Sequence, residues 1–323
     1  MAAPGARGGG VAQMKIVATM PLRCDGWVCG LTVSAALMWC DAVVALNHGC
    51  DTETQVILER ISCEYPGRLR ILWDENLKWE EMEQRTRMLS EARALGATHV
   101  AILDSDEILT GNLIPRMYDA CAALIEGWML ELPQINVRGD IDTMHTTGVW
   151  AGQHTAVVFK DEPVLSWRPD HKGYQHHHRA PHGRMFRQYR PFQRSDGGLF
   201  HLQMLDEKRL RAKQLLYQIN DVLGGFRTPE QARQYYSLSV YGCIPAQIPA
   251  AEHSWTLRRN MPGLGPIPPT WWEPYRDLLP LRSYSASAHG PWQLAECRRL
   301  IHSCLIASGQ DVTAGLDTFG LNL

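Results

Sequence analysis

The stretch RTRMLSEARALGATHVAILDSDEIL, residues 85–109, holds a helical segment, an apolar run and an acidic turn in immediate succession. A helix is predicted over residues 79–95, and it ends at Gly96, a residue type that readily adopts the left-handed conformation found after helices. Residues 98–103 then read as a strand that runs directly into Asp104-Ser105-Asp106-Glu107. A continuously apolar strand of this kind is typical of a parallel sheet whose two faces are both covered.

The same alternation extends back to the start of the chain. Strands are predicted over residues 15–19, 42–46 and 69–73, and helices over 28–39 and from Asp51 or Thr52 to about residue 63. Four strands that alternate with helices indicate an α/β domain built on a mostly parallel, Rossmann-like sheet with helices on both faces.

Beyond residue 109 the rhythm changes. Helices are predicted over 112–125, 205–222 and 292–307, strands over 128–137 and 154–160, and a proline-rich connector over 262–274. We expect a flexible leader over 1–13 and one catalytic domain over 14–260, followed by a connector and helical C-terminal elaboration over 261–323 that packs on that domain. The catalytic domain divides into a donor half, about 14–113, and an acceptor half, about 128–222.

Composition excludes several classes of protein. The chain has 323 residues, of which 45% are hydrophobic and 20% charged, so it can bury a core and is not intrinsically disordered. No apolar run reaches the roughly 18 residues that a membrane helix needs. The nine cysteines show no metal-type spacing, which favours a reduced, cytoplasmic protein. No phosphate-binding glycine motif follows a strand, which excludes kinase and dehydrogenase classes.

Charge is unevenly distributed along the chain. The net charge is −2, but residues 160–260 contain sixteen Lys and Arg against nine Asp and Glu. A basic middle region is a possible face for a polyanion, and a solvated charged surface is an equally good interpretation.

Polar residues follow the predicted strands. Ligands bind beyond the carboxyl ends of the strands in an open parallel sheet. The residues there include Pro21, Asn47, Asp74 and the pair Asp104 and Asp106. Two carboxylates one residue apart can share one hard cation, Mn²⁺ or Mg²⁺, which leaves coordination positions for phosphate oxygens. The sequence therefore predicts a site for a metal and a nucleoside diphosphate.

These residues carry a resemblance to a known family. Residues 15–113, and the 85–109 stretch above all, resemble the family 2 glycosyltransferases, whose GT-A (nucleotide-diphospho-sugar transferase) fold ends a strand in a D-x-D motif. A second motif, GGLFHLQ at 197–203 followed by Arg209, Lys213 and Tyr217, is similar to a pattern of uncharacterised bacterial and phage members. The resemblance implies that His201 completes the metal site of Asp104 and Asp106.

The resemblance also implies how the donor is bound. A UDP-sugar, with glucose as the commonest choice, would be read by Asn47 and Asp74 at uracil and ribose, with Pro21 and Asp104 in the same site. Asn47 departs from the more usual aspartate. Arg85, on the helix before the D-x-D strand, would face the diphosphate, although a solvated helix cation is an equally good interpretation.

The acceptor side is predicted in the polar segment 167–184, WRPDHKGYQHHHRAPHGR. The expected acceptor-binding residues are His177, Arg179, Arg184 and Lys213. An inverting transfer needs a general base, and Asp170 and His178 are the leading candidates, with Asp161 and Asp140 left open. A zinc site is disfavoured because adjacent histidines cannot all point at one metal from regular structure.

These residues together predict a metal-dependent hexosyltransferase. The favoured acceptor is 5-hydroxymethylcytosine or a similar base in double-stranded DNA, because a basic region with interleaved aromatic residues suits a flipped base. In that case a phage-encoded protein would act in the host cytoplasm. The alternatives are a cell-surface glycan or small-molecule acceptor, a nucleotidyltransferase, and a non-catalytic nucleic-acid-binding protein on a transferase scaffold. The oligomeric state stays open.

Overall fold

The computed structural model describes most of residues 13–278. The described residues are 13–49, 52–76, 80–148, 150–167, 179–206, 210, 213–214, 217–218, 221–222, 225–241 and 263–278. The predicted leader and the predicted helix at 292–307 therefore lie outside them, apart from residue 13. No helix in the part of the chain described here is long and apolar enough to cross a membrane.

The N-terminal half is the alternating α/β unit that the sequence predicts. Its elements are β1 (Ile16–Leu22), α1 (Cys29–Ala36), β2 (Ala42–His48), α2 (Thr52–Glu64), β3 (Leu69–Asp74), α3 (Glu81–Ala94) and β4 (His99–Ile102). The four strands pair in the order β3-β2-β1-β4, and every pairing is parallel. Their carboxyl ends therefore meet at one edge of the sheet, called here the carboxyl edge.

The second half extends this sheet. Its elements are β5 (Glu107–Leu109), α4 (Ile114–Ala122), β6 (Trp128–Arg138), β7 (Asp140–His145), β8 (His154–Lys160), β9 (Arg187–Tyr189), β10 (Leu199–Met204), α5 (Pro229–Tyr241) and β11 (Leu264–Pro266). Strand β8 is antiparallel to both β4 and β6, so β6 runs in the same direction as β4. The result is a mixed, Rossmann-like α/β sheet, as predicted, whose first four strands are parallel. Strands β5, β7, β9, β10 and β11 are not predicted from the sequence.

Helices cover both faces of the sheet, as predicted. Successive residues of β1 belong to different hydrophobic clusters on the two faces of the sheet. Ile16, for example, is in one cluster and Val17 is in the other. One cluster buries the apolar sides of α1, α2 and α4, and the other buries that of α3. Strands that are apolar on both sides are needed for this arrangement, which explains their continuous hydrophobic runs.

The short strands β5 and β10 organise the carboxyl edge. Strand β10 pairs antiparallel with β5, which places His201 opposite Glu107, and it pairs parallel with β6. The approach to β10 requires two glycines: Gly197 has φ +115°, and a Cβ on Gly198 would lie 2.0 Å from the Pro133 carbonyl oxygen. The Gly-Gly of the second sequence motif therefore permits close packing of β10 on its neighbours.

Residues 263–278 pack against this same region. Strand β11 adds to the edge of β7, and the Trp272 ring stacks on Phe200 of β10 with the ring centroids 4.1 Å apart. The Tyr275 hydroxyl donates a hydrogen bond to the Leu109 carbonyl at the end of β5, at 2.5 Å. The C-terminal part of the described chain thereby supports β5 and β10 from behind.

Candidate active site

The acidic turn between β4 and β5 is shaped by Glu107. Its carboxylate accepts a hydrogen bond from the Asp104 backbone amide at 2.9 Å and is nearly inaccessible, with 1% of the side chain exposed. Arg179 donates to both carboxylate oxygens, at 2.5 and 2.7 Å, and also to the Ile102 carbonyl. A planar guanidinium suits such paired contacts. The turn is therefore fixed before any ligand binds.

Asp104 is the more accessible of the two predicted metal ligands. Its side chain is 39% exposed, and its two oxygens lie 3.5 Å from Arg85 and 3.4 Å from Arg179. Burial acts to raise the pKa of this carboxyl, but the positive charges of Arg179 and Arg85 outweigh it and hold the pKa below its usual value. Asp104 is therefore ionised at neutral pH.

Asp106 is buried, with 2% of its side chain exposed. One carboxylate oxygen lies 3.0 Å from the Lys213 ammonium, and the other lies 3.8 Å from Nε2 of His201. The second distance is too long for a hydrogen bond. A buried carboxylate needs a nearby positive charge to offset its lost hydration, and Lys213 supplies one.

Asn136 on β6 sets the orientation of His201. The Asn136 Nδ2 donates to the Trp150 carbonyl at 2.8 Å, so its Oδ1 is the atom that accepts from His201 Nδ1, also at 2.8 Å. This pairing assigns the Nδ1–H tautomer to a neutral His201 and leaves the Nε2 lone pair towards Asp106. Histidines that bind metals usually donate the other ring N–H to an acceptor in this manner.

The atoms that would bind the predicted divalent cation are carboxylate oxygens and an imidazole nitrogen. Carboxylate oxygen and imidazole nitrogen suit Mn²⁺, and the facing lone pairs of Asp106 and His201 fit one shared ion. Within the described chain, no three His, Cys, Asp or Glu side chains are already gathered closely enough to hold a metal. Two of the three predicted ligands are thus arranged for a cation, while Asp104 is turned towards the two arginines.

The net charge of this cluster favours a cation. The carboxylates of Glu81, Asp104, Asp106 and Glu107 are matched by three cationic side chains, those of Arg85, Arg179 and Lys213. Among the residues that the structure describes, one negative charge is left over. A divalent ion would make the cluster positive, which suits a diphosphate.

The predicted donor-side residues lie at the same edge of the sheet. Pro21 pairs with Leu46 near the end of β1, and Asn47, at the end of β2, is completely buried. Asp74, at the end of β3, accepts from Gln84 Nε2 at 3.4 Å and lies 3.3 Å from Arg87.

Two polar atoms on α3 are buried without a hydrogen-bond partner in the described structure. They are Oε1 of Gln84 and Nη1 of Arg85, and the rest of the Arg85 guanidinium contacts Glu81 at 2.7 Å and Asp104 at 3.5 Å. Unsatisfied buried groups are costly, and they recur where a ligand completes the hydrogen bonding. The N-terminal part of α3 therefore presents one unused acceptor and one unused donor between the ends of β3 and β4.

The structure does not bring every predicted residue to this edge. Arg184 pairs with Glu162, and Asp161 is held by Arg93. Both carboxylates follow the end of β8, which is antiparallel to β4, so they lie at the opposite edge of the sheet. Asp170, His177 and His178 lie outside the described residues.

Two predicted acceptor residues instead contact the acidic turn. Arg179 binds Glu107 and Asp104, and Lys213 binds Asp106. These contacts could not be predicted from the sequence, because both residues are far from the turn along the chain.

Sequence reasoning missed three residues of the site: Glu81, Gln84 and Asn136. It placed Glu107 after the fourth strand, beside the two aspartates, but assigned it no role. Asn136 had no sequence signal, because it lies in the middle of an ordinary strand and becomes relevant only through the pairing of β6 with β10.

The fold and this site define an α/β protein with a Rossmann-like sheet and an acidic turn at the carboxyl edge. No protein-family model matches the sequence, and no curated protein matches it either. Among solved structures, residues 1–349 of TarS from S. aureus are 11% identical, over 95% of this chain and 89% of that chain, with a TM-score of 0.39.

A second similar structure is a mannosyltransferase, PcManGT from Pyrobaculum calidifontis, in complex with GDP-Man and Mn²⁺. It is 12% identical, over 95% of this chain and 79% of that chain, with a TM-score of 0.41. Values this low do not assign an activity, so the function must be inferred from the side-chain geometry.

Proposed function

We propose that this protein is a metal-dependent glycosyltransferase that moves the sugar of a nucleoside diphosphate sugar to a hydroxyl acceptor. The observation that carries the proposal is the pair of His201 Nε2 and Asp106 Oδ1, 3.8 Å apart, with the imidazole oriented by Asn136. Two electron-pair donors facing each other without a hydrogen bond form an arrangement that a cation would stabilise. It lies where ligands bind in open parallel sheets.

Asp104, Asp106 and His201 would hold Mn²⁺ or Mg²⁺. When bound, this ion supplies positive charge to offset the charge that develops on a leaving diphosphate. Arg85 and Arg179 surround Asp104 and add fixed positive charge on the same side of the turn. Fixed charges of this kind stabilise a transition state without reorganisation.

The donor is proposed to be a UDP-sugar, with glucose as the first candidate. Its nucleoside would lie along the ends of β2 and β3, near Asn47 and Asp74, and its diphosphate would lie between Arg85 and the acidic turn. The unused acceptor on Gln84 suits an N–H of the base or a hydroxyl of the ribose. The general base is proposed to be Asp170 or His178.

The DNA acceptor predicted from the sequence gains no support from the described side chains. The three predicted acceptor-binding cations among them all form ion pairs with carboxylates of the protein: Arg179, Arg184 and Lys213. A hydroxymethylated base in DNA therefore stays a prediction beside a glycan or small-molecule acceptor. Binding to duplex DNA that weakens steeply with salt would distinguish DNA from the others.

The test is hydrolysis or transfer with a panel of sugar nucleotides, with and without Mn²⁺, in which the released nucleoside diphosphate is measured. We expect Asp106→Asn and His201→Ala each to reduce release at least 100-fold. The matched control is Asp161→Asn, at the opposite edge of the sheet, which should retain activity. Full activity of Asp106→Asn would refute the proposal.

Related assays separate the other classes of protein. Release of pyrophosphate from a nucleoside triphosphate and a sugar phosphate, with no nucleoside diphosphate released from the sugar nucleotides, would show a nucleotidyltransferase. Failure to turn over any donor, combined with tight binding to nucleic acid, would show a non-catalytic binding protein.

A further inference from the structure

Lys213 makes a direct ion pair with the buried member of the acidic pair. Its ammonium lies 3.0 Å from Asp106 Oδ2, and its side chain is 16% exposed, against 2% for Asp106. Lys213 occupies a helical position nine residues after the end of β10. The residue that the sequence assigned to acceptor binding is therefore the nearest described cation to one of the proposed metal ligands.

The three cations of the cluster differ in how firmly they are held. Arg179 is fixed by both oxygens of Glu107, and Arg85 is fixed by Glu81 at 2.7 Å. Lys213 instead reaches the site on a flexible four-carbon side chain that ends in a compact point charge. Of the three side chains, that of Lys213 is held by the least restrictive geometry, because a single ammonium on a flexible chain can rotate away from a carboxylate oxygen.

The surroundings of Lys213 provide a second position for its ammonium. Tyr217, one helical turn further on, hydrogen-bonds to Lys213, and the Lys213 ammonium lies 5.8 Å from the centre of the Tyr217 ring. Burial raises the pKa of the Tyr217 hydroxyl, so this group stays neutral and can guide the ammonium without binding it as a counter-charge.

We propose that Lys213 is the counter-ion that a divalent cation displaces from Asp106, and that the displaced ammonium then binds the nucleoside diphosphate. This inference rests on the proposed function and adds that Lys213 and the divalent cation compete for Asp106. An ammonium beside Oδ2 and a divalent ion beside Oδ1 would share the single negative charge of Asp106 and repel each other, so either one weakens binding of the other. A diphosphate that enters with the metal gives the displaced charge a new partner, which links donor binding to metal binding.

The test compares Lys213→Met with Lys160→Met, a matched loss of one lysine at the opposite edge of the sheet. Mn²⁺ binding is measured by the paramagnetic signal of free Mn²⁺, and UDP binding to the Mn²⁺-saturated protein is measured by calorimetry. We expect Lys213→Met to bind Mn²⁺ about tenfold more tightly and UDP about tenfold more weakly. Lys160→Met should match the unmodified protein in both measurements.

Thermal unfolding provides a readout that does not depend on UDP. Lys213→Met removes a positive charge that lies 3.0 Å from the buried Asp106, so the variant should melt at a lower temperature than the unmodified protein and regain most of the loss in Mn²⁺. Lys213→Gln, which retains a hydrogen-bond donor, should behave in the same direction. If neither variant changes Mn²⁺ affinity while Asp106→Asn abolishes it, the competition is refuted and the proposed function stands. If the unmodified protein and Asp106→Asn both fail to bind Mn²⁺, the proposed function itself fails.

Discussion

Arg179 binds Glu107 through both terminal nitrogens of its guanidinium group, at 2.5 and 2.7 Å, and Glu107 in turn accepts the backbone amide of Asp104. The two residues are 72 positions apart in the chain. Their ion pair connects the predicted acceptor segment, 167–184, to the turn that carries the two aspartates. The geometry of the proposed metal site therefore depends on a residue that does not bind the metal.

Replacing Arg179 by lysine tests this dependence. A lysine keeps the charge but cannot contact both oxygens of Glu107, so the acidic turn should shift. We expect transfer to fall about 100-fold, as misplacement of a catalytic group by 1 Å can cause. The matched control is Arg93→Lys, since Arg93 contacts both oxygens of Asp161 at 2.8 Å at the opposite edge of the sheet. An equal loss of activity in both variants would indicate general destabilisation instead.

Asn136 is expected to act through His201. Asn136→Ala removes the acceptor for His201 Nδ1–H, so the imidazole loses its fixed tautomer, and Mn²⁺ affinity should fall roughly 10- to 100-fold. Asn136→Asp restores an acceptor at the same position and should recover most of the affinity. Asn112→Ala removes a comparable side-chain hydrogen bond, to the Asp196 carbonyl, and should leave Mn²⁺ binding unchanged. A failure of Asn136→Asp to recover binding would show that Asn136 is needed only for folding.

Arg85 is expected to contact the diphosphate through its unused Nη1. Arg85→Lys should weaken UDP binding about tenfold, because a hydrogen bond to a charged group contributes about 1.5–3 kcal/mol. Arg87→Lys, two residues along the same helix, alters an exposed arginine that contacts Asp74 and should have a much smaller effect. Calorimetric titration with UDP measures both. Equal affinities for the two variants would remove Arg85 from the donor site.

His145 should make stability depend on pH. Burial, together with the charges of Arg138 and Arg194, lowers the pKa of His145 from its ordinary 6.5 to about 4. Between these values the unfolded chain binds a proton that the folded protein does not, so the free energy of unfolding should fall as the pH drops from about 6.5 to about 4. From pH 7 to pH 5 the loss attributable to this residue is about 2 kcal/mol.

His145→Gln isolates that contribution, because glutamine can accept from Arg138 Nη1, which lies 3.3 Å from His145 Nε2, without titrating. Its unfolding free energy, measured with denaturant, should decline less between pH 7 and pH 5 than that of the unmodified protein. His99, whose pKa is also lowered by burial and by Lys160, is present in both proteins and cancels in the comparison. Parallel pH dependences for the two proteins would contradict the prediction.

Much of the N-terminal half could be predicted from the sequence. The helix expected over 79–95 is found at Glu81–Ala94, and the strand expected over 98–103 is found at His99–Ile102. These elements are long or strongly apolar, so local patterns determine them. Strands such as β5 and β9 have three residues each and no such pattern. They form only because neighbouring strands provide their hydrogen-bond partners.

The sequence by itself determined the α/β alternation and the position of Asp104 and Asp106 at the end of a buried strand. Both follow from hydrophobic patterns and chain order within a few neighbouring residues. Only the tertiary structure placed His201 opposite Glu107 and oriented it by Asn136, because strand register over long separations depends on packing against the whole sheet. It likewise turned Arg179 and Lys213 onto the acidic turn, since buried carboxylates recruit the cations that the folded chain brings within reach.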